Sequence, residues 1–314
     1  MKFRFDNMDA SENVFFSRQL ESIRAAAFDV AYPELKGFSL VPPKTDIHPG
    51  AEQYTYRVFD KVGKATLSSD LSDRGPRVDI KGFEVTSKIR SLKDSYGYSI
   101  QETRNAMMAG LDLSGRKAKA ARDAIATAMD DLILLGTASS VESASAAGLL
   151  GLFTLTGTQT YTVPNGSGGS TLWTTKTPDE IVQDMLGLVF QIYQNSNMVE
   201  VPDTLVLPLA RKGLVSSTRM GDGSNQTILS HFLEVNGMVK TVEFSQKLNS
   251  NGAWTGCRAM AYTNVAEKVE SIIPVEFEQL APQFDGYEVL THCHARIGGT
   301  VCYFPGSVGY ADNI

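Results

Sequence analysis

Apolar residues recur at spacings of three and four most persistently between Ser99 and Gly136, and this stretch is the longest helical element that the sequence predicts. Ser99 and Glu102 are spaced as a capping box, the serine oxygen placed to accept a first-turn N–H and the glutamate to accept the serine's own. Ile100, Met107 and Met108 carry a first helical stretch to Gly110, after which Leu113, Ser114 and Gly115 offer a second N-cap or a kink. Beyond it Ala118, Ala121, Ile125, Ala128, Leu132 and Leu135 fall on one face, closed by Gly136. That face is rich in alanine. Small side chains let another element lie close, so a sheet is expected along this helix as along a spine, with Arg116, Lys117, Lys119 and Arg122 largely off the apolar stripe.

The same reading upstream predicts a helix over residues 11–29, capped by Ser11 and presenting Phe15, Leu20, Ile23 and Ala27. Residues 32–50 are expected to be extended, because each proline restricts the residue before it, and so to form an arm outside the core. Residues 53–62 alternate, with Tyr54, Tyr56 and Val58 on one face of a strand. A second strand is expected over 78–92 with a bulge at Gly82, where Val78 and Ile80 fall out of step with Phe83, Val85 and Ile89. The polar segment 68–76 between them reads as a tip. A lone two-stranded ribbon is marginal in water. It must fold back on its own domain or reach onto a neighbouring subunit.

Downstream, residues 139–147 are small and polar, and 163–170 form a loop whose glycines lack the Gly-Lys-Ser/Thr ending of a phosphate cradle. Thr177, Pro178, Asp179 and Glu180 mark a helix start, with Ile181, Met185, Leu188, Val189 and Ile192 on its apolar face. A buried strand over 204–207, a helix from Pro208 through Val215, a helix over 227–233 and a strand over 239–244 complete an α/β module at 152–255. Strands are expected at 258–262, 269–277, 287–297 and 300–304. Gly298-Gly299 reads as a two-residue hairpin turn that pairs Ile297 with Thr300, Ala295 with Cys302 and Cys293 with Phe304. These long strands are the expected partners of the alanine face, giving an α+β fold.

Composition narrows the function. A net charge of -6 over 314 residues argues against a strongly basic nucleic-acid binder but leaves room for a local basic surface. No signal-peptide pattern opens the chain, so synthesis in the cytoplasm is expected. Cys257, Cys293 and Cys302 are too few and too scattered for a disulfide framework. His292 and His294 share a strand face and could supply two zinc ligands, or serve a hydrolase with Cys293. Yet Cys293 falls on the opposite face with Ala295 and Ile297, so two polar-face histidines beside a core thiol is the simpler reading. Asp130-Asp131 diverge on their helix and do not make an acid–base pair. The basic run at 116–122 is a solvated helix face or a loose, sequence-blind contact to phosphate backbones.

The order of parts carries a further signal. Gly50-Ala51-Glu52-Gln53-Tyr54-Thr55-Tyr56, Asp60-Lys61-Val62-Gly63-Lys64-Ala65, Tyr96-Gly97-Tyr98-Ser99, the helix over 117–135, Gly148-Leu149-Leu150 and Arg296-Ile297-Gly298-Gly299 occur in the order and spacing that resemble tailed-phage major capsid proteins of the Hong Kong 97 fold. The resemblance implies an N-terminal helix and arm (1–49), an extended β loop (50–95), the spine helix of a peripheral domain (96–151), an axial α/β domain (152–255) and returning peripheral strands with a C-terminal tail (256–314). It implies hexamers and pentamers closing into an icosahedral shell around double-stranded DNA, assembled in the bacterial cytoplasm, with no cofactor, no catalysis and no membrane. Portal, scaffolding and decoration proteins are implied partners; because the arm begins almost at Met1, any scaffold is expected to be a separate protein or absent. The loop tip Asp70, Asp73, Arg74, Gly75 and Pro76 is the implied inter-subunit contact, and Arg116, Lys117, Lys119 and Arg122 the candidate DNA-facing residues. Some relatives join a loop lysine to a neighbour's asparagine. Lys61 and Lys64 lie in the corresponding region, without an identifiable acceptor. A cellular protein compartment of the same fold is the alternative, and a metal- or thiol-dependent hydrolase the more distant one.

Overall fold

The computed structural model describes residues 33–65, 67, 77–110, 112–136, 148–221, 225–250 and 253–314. The helix expected over 11–29, the loop tip at Asp70, Asp73, Arg74, Gly75 and Pro76, and the segment 139–147 lie outside them.

The proline-rich arm does not stay outside the core. Its residues Gly37–Leu40 form a helical turn, α1, because the Gly37 N–H donates to the buried Asp130 carboxylate at 2.5 Å. Leu40 and Val41 are 1% and 0% exposed, and Tyr262 Oη donates to the Leu40 carbonyl at 2.5 Å. The prolines then keep the backbone extended, so that β1 (Pro43–Lys44) lies parallel to residues 271–272.

β2 (Gln53–Val62) and β3 (Asp79–Lys88) pair antiparallel without interruption from Gln53 opposite Lys88 to Val62 opposite Asp79. The bulge expected at Gly82 is absent. Gly82 faces Phe59, and a Cβ there would meet the Phe59 ring at 2.9 Å, so the change of apolar phase marks a ring lying across a glycine. The break falls instead at Ile89, which is buried and donates its N–H to the Glu52 carbonyl at 2.9 Å. β4 (Arg90–Ser99) then leaves the ribbon for a different sheet.

The spine is two helices. α2 (Ile100–Ala109) begins at the Ser99–Glu102 capping box and ends at Gly110, which is left-handed at φ 66°. Asp112, rather than the 113–115 segment, caps α3 (Leu113–Leu135) by accepting the Gly115 N–H at 2.9 Å. On α3, Ala121, Ile125, Leu132 and Leu135 are buried and Ala118 and Ala128 half-buried, as their spacing implies. From Met129 to Leu135 every side chain is buried, because this end of the helix is enclosed on all sides.

The remaining elements are β5 (Gln159–Tyr161), α4 (Pro178–Asn195), β6 (Thr204–Pro208), α5 (Lys212–Ser217), α6 (Ile228–Asn236), β7 (Thr241–Ser245), β8 (Arg258–Tyr262), β9 (Val269–Ile272), β10 (Val275–Gln279), β11 (Gln283–Asp285), β12 (Glu288–Ile297), β13 (Thr300–Cys302) and β14 (Gly309–Asp312). Five strands join in the order β5-β14-β8-β6-β7, so β8, expected among the strands returning to the spine, and β14, in the expected C-terminal tail, belong to the same sheet as β6 and β7. Both faces of that sheet are covered. Val206, Met260, Tyr262 and Tyr310 point into the core shared with Leu132 and Phe153, while Leu205, Leu207, Ala259, Ala261 and Ala311 point into the core beneath α4 and α6. Two covered faces are why β6 reads as an unbroken apolar run.

β12 is the centre of the other large sheet, pairing with β4 along its whole length on one side and with β10 and β11 on the other. The expected hairpin at Gly298-Gly299 does not form. β13 leaves β12 and pairs with β9, because the chain crosses between sheets here: Gly298 N–H donates to the Ile272 carbonyl at 2.8 Å and Ile272 N–H to the Gly299 carbonyl at 3.0 Å. A Cβ on Gly299 (φ +72°) would lie 2.5 Å from the Leu150 carbonyl oxygen. The glycines serve close approach, not reversal.

Candidate assembly surfaces

The ribbon is tethered at its root and bare beyond it. Tyr54, Tyr56 and Val58 alternate inward along β2, so their rings and side chain meet the body while the rest of the strand is exposed. Tyr56 Oη donates to the Cys302 carbonyl at 3.0 Å, and its ring stands edge-on to Tyr303 with centroids 4.9 Å apart. The Tyr54 and Tyr303 hydroxyls are 2.9 Å apart, and Tyr303 Oη is 2.6 Å from Glu270 Oε2. Since the carboxylate only accepts, Tyr303 donates to Glu270 and Tyr54 donates to Tyr303. Lys44 on β1 closes the row, 3.7 Å from the same Glu270 oxygen. Burial, reinforced by the bonds to Glu270 and Tyr54, pushes the Tyr303 hydroxyl far above its ordinary range, so it stays a donor. On the other strand, Ser87 Oγ donates to the Gly298 carbonyl at 2.9 Å.

From Val58 outward the ribbon carries exposed apolar side chains. Phe59 and Ile80 share one face, 67% and 62% exposed, and Val62 and Phe83 lie open on the other. Between the underside of the ribbon and the 303–307 turn runs an open cleft of about 380 Å³, walled by Val58, Phe83, Val199 and Phe304. α2 buries none of its residues, and Met107 and Met108 are 75% and 94% exposed. Exposed apolar surface on this scale, distributed over projecting elements, marks sites of protein association.

The body beneath is stiffened by buried polar ties. Lys176 Nζ donates to Asp184 at 2.6 Å and to the Pro164 carbonyl at 2.7 Å, and Trp173 Nε1 donates to the same Asp184 oxygen at 2.9 Å, fixing the 163–176 loop to α4. Arg258 lies between the Trp254 and Tyr310 rings, forks onto the Asp312 carboxylate and donates to the Phe153 carbonyl at 2.6 Å. Such planar, stacked and bidentate geometry is specific to arginine.

The basic run is divided. Lys117 turns inward, donating to the Gly97 carbonyl at 2.8 Å and approaching Glu102 at 3.4 Å, which ties α3 to β4 and α2. Arg116, Lys119 and Arg122 are exposed, Arg122 lying 5.8 Å over the Phe277 ring. His292 and His294 are half-buried on the sheet face away from α3, His294 lying 3.5 Å from Glu278, whereas Cys293 is buried on the α3 side. Imidazoles and thiol point apart. Burial raises the Cys302 thiol to about 11 and pushes Cys293 up as well, so both stay protonated at neutral pH. Among the described residues no group of His, Cys, Asp and Glu is placed to hold a metal ion, and no helix is long and apolar enough to cross a membrane.

The sequence exposes Tyr54 and Tyr56 through their strand parity, but not Tyr303 or Glu270, which lie more than two hundred residues away. Asp130, which its sequence neighbour Asp131 presents only as half of an acid pair, holds α1.

A family model described as "Major capsid protein" matches residues 63–314. Among solved structures, the capsid of Myoviridae Phage XM1 is similar with a TM-score of 0.82 at 15% identity, over 96% of this chain and 99% of that one. The capsid of a native GTA particle gives a TM-score of 0.65 at 11% identity, over 94% and 95% of the two chains. A virus-like particle from Pyrococcus furiosus gives 0.53 at 12% identity, over 90% and 92%. No curated protein sequence matches.

Proposed function

The chain belongs to the major capsid protein family and has the Hong Kong 97 fold of tailed-phage capsids, and from that premise we propose that its β2–β3 ribbon lies across a second copy of the chain as hexamers and pentamers close into an icosahedral shell. A structural component of the virion is thus the protein's role. The observation that carries the ribbon reading is the exposed apolar surface from Val58 outward: Phe59, Val62, Ile80 and Phe83 are exposed and join no core cluster of the described residues. Burying such a side chain contributes about 1.5–3 kcal/mol. One ribbon therefore makes a modest contact, and a closed lattice multiplies it.

The shell would form in the host cytoplasm around double-stranded DNA, with the exposed Arg116 and Arg122 placed for sequence-blind phosphate contacts, Lys119 exposed beside them and Lys117 committed inside the subunit. Portal, scaffold and decoration proteins would join at surfaces that this chain alone does not define. The compartment alternative has less behind it, since the virus-like particle is a more distant structural match than the phage capsid.

The double substitution Phe59→Ser with Ile80→Ser tests the ribbon. Both side chains are exposed in the subunit, so its melting temperature should stay within about 3 °C, while electron microscopy should show closed shells reduced at least tenfold. Normal shells from this variant would overturn the lapping role.

A further inference from the structure

We infer that the hydroxyl row Tyr54–Tyr303–Glu270, seated against Lys44, positions the ribbon: it sets the angle at which β2–β3 leaves the subunit and thereby the geometry of the assembled lattice. This rests on the reading that the ribbon lies on a second copy. It adds the residues that aim it.

Among the described residues little else fixes that angle beyond Val58, where Val58 and Phe83 line an open cleft with Phe304 and Val199. At the root, Ile89 and Ser87 hold β3 to the 298–301 segment. A two-stranded ribbon held along one strand alone can still rock about that strand. The second line of attachment is on β2, and it consists of Tyr56 bonding the Cys302 carbonyl and Tyr54 reaching Tyr303. Tyr303 is the hinge pin of the arrangement, because its ring packs on Tyr56 while its hydroxyl joins Tyr54 to a carboxylate on β9. Glu270 has only 13% of its side chain exposed and faces Lys44 on β1, so the row ends on the three-stranded sheet rather than in solvent.

Leverage makes the row matter. Val62 is six residues beyond Tyr56, about 20 Å at ~3.3 Å per residue, so a tilt of roughly 10° at the root moves it by about 3–4 Å. That is nearly the whole distance over which apolar side chains are in contact. Two hydrogen bonds that matter little to the fold therefore decide where the apolar surface of the ribbon lands.

The test compares Tyr303→Phe, Tyr54→Phe and Tyr262→Phe with the ribbon variant above, each in the full chain. Tyr303→Phe and Tyr54→Phe should leave the melting temperature within about 3 °C while lowering the fraction of uniform closed shells at least fivefold, replaced by irregular or open particles. Tyr262→Phe removes a core hydroxyl bonded to Leu40; it should lower the melting temperature yet give uniform shells. If Phe59→Ser with Ile80→Ser blocks assembly but both Tyr303→Phe and Tyr54→Phe build uniform shells, the positioning role is wrong and the lapping role stands. Should the ribbon variant itself assemble normally, both fall. If Tyr303→Phe fails to fold, Tyr54→Phe decides alone, since its hydroxyl lies at the outer end of the row; uniform shells from it overturn the proposal.

Discussion

Asp130 secures a stretch of backbone that the prolines alone would leave unattached. Its carboxylate is buried and accepts the Gly37 N–H at 2.5 Å, and burial pushes its pKa above the ordinary aspartate range despite that bond and the nearby Lys247. The linkage has a definite sign: a carboxyl group whose pKa is raised by folding contributes stability in full below its unfolded value, and that contribution is lost as pH rises through the folded value. At neutral pH the ionised group is thus held at some cost. Asp130→Asn keeps an oxygen for Gly37 and cannot ionise, so it should remain as stable as the parent at pH 7 and lose the part of the pH slope just above the ordinary aspartate range. Asp130→Ala leaves the Gly37 N–H buried without an acceptor and should cost about 1–3 kcal/mol. Thermal unfolding of the three proteins between pH 4 and 7 checks both; equal slopes for the parent and Asp130→Asn would contradict the assignment. The exposed Glu102 and Glu180, whose pKa values are lowered by capping bonds, act in the opposite sense and are common to all three proteins.

At the level of elements, the Gly298-Gly299 crossing separates two readings of one dipeptide. A hairpin turn with φ above zero would accept asparagine at Gly299 with little penalty. Here the Leu150 carbonyl oxygen occupies the place of a Cβ, at 2.5 Å, so Gly299→Asn should lower the melting temperature by 5 °C or more, on the order of 2 kcal/mol. An unchanged melting temperature would mean that the chain reverses there after all. The same contrast explains what was legible. α4 could be read from residues 177–192 because its threonine cap, proline, acidic first turn and apolar spacing are all local, and β2 because strict alternation is local too. Gly110 and the Leu113-Ser114-Gly115 segment signalled a division or kink of the spine, but either side of it the helical period continues, and only the geometry shows that it breaks and that Asp112 caps the second helix. The expected hairpin fails because the true constraints on the dipeptide, Ile272 and Leu150, lie 26 and 149 residues away from Gly298 and Gly299 respectively. The ribbon root divides likewise: strand parity reveals Tyr54 and Tyr56, whereas Tyr303 and Glu270 become their partners only once β9, β13 and the 303 turn are brought together.

For the whole molecule, the proposed enclosure of double-stranded DNA raises the question of which face of the subunit would meet it. A chain with net charge -6 repels DNA on average, so any contact must come from a local surface where cations outnumber acids. α3 offers one. Arg116 and Arg122 are exposed on it, and Lys117 is not available because its ammonium is bonded to the Gly97 carbonyl. Contacts of this kind neutralise phosphates and release counterions, which ties their strength to salt and makes them blind to sequence. Arg116→Glu combined with Arg122→Gln should therefore leave shell formation intact, since neither residue lies in the ribbon or its root, while reducing the DNA retained per shell and making its loss begin at lower salt. The ratio of nucleic-acid to protein absorbance in purified shells, followed across a salt series, reads this directly. The effect should be large because each shell repeats the surface in every subunit, so losing one weak contact per copy removes many at once. Unchanged DNA content across the series would place the exposed face of α3 away from the interior. In that case its arginines are a solvated helix surface and the proposed phosphate contact is wrong.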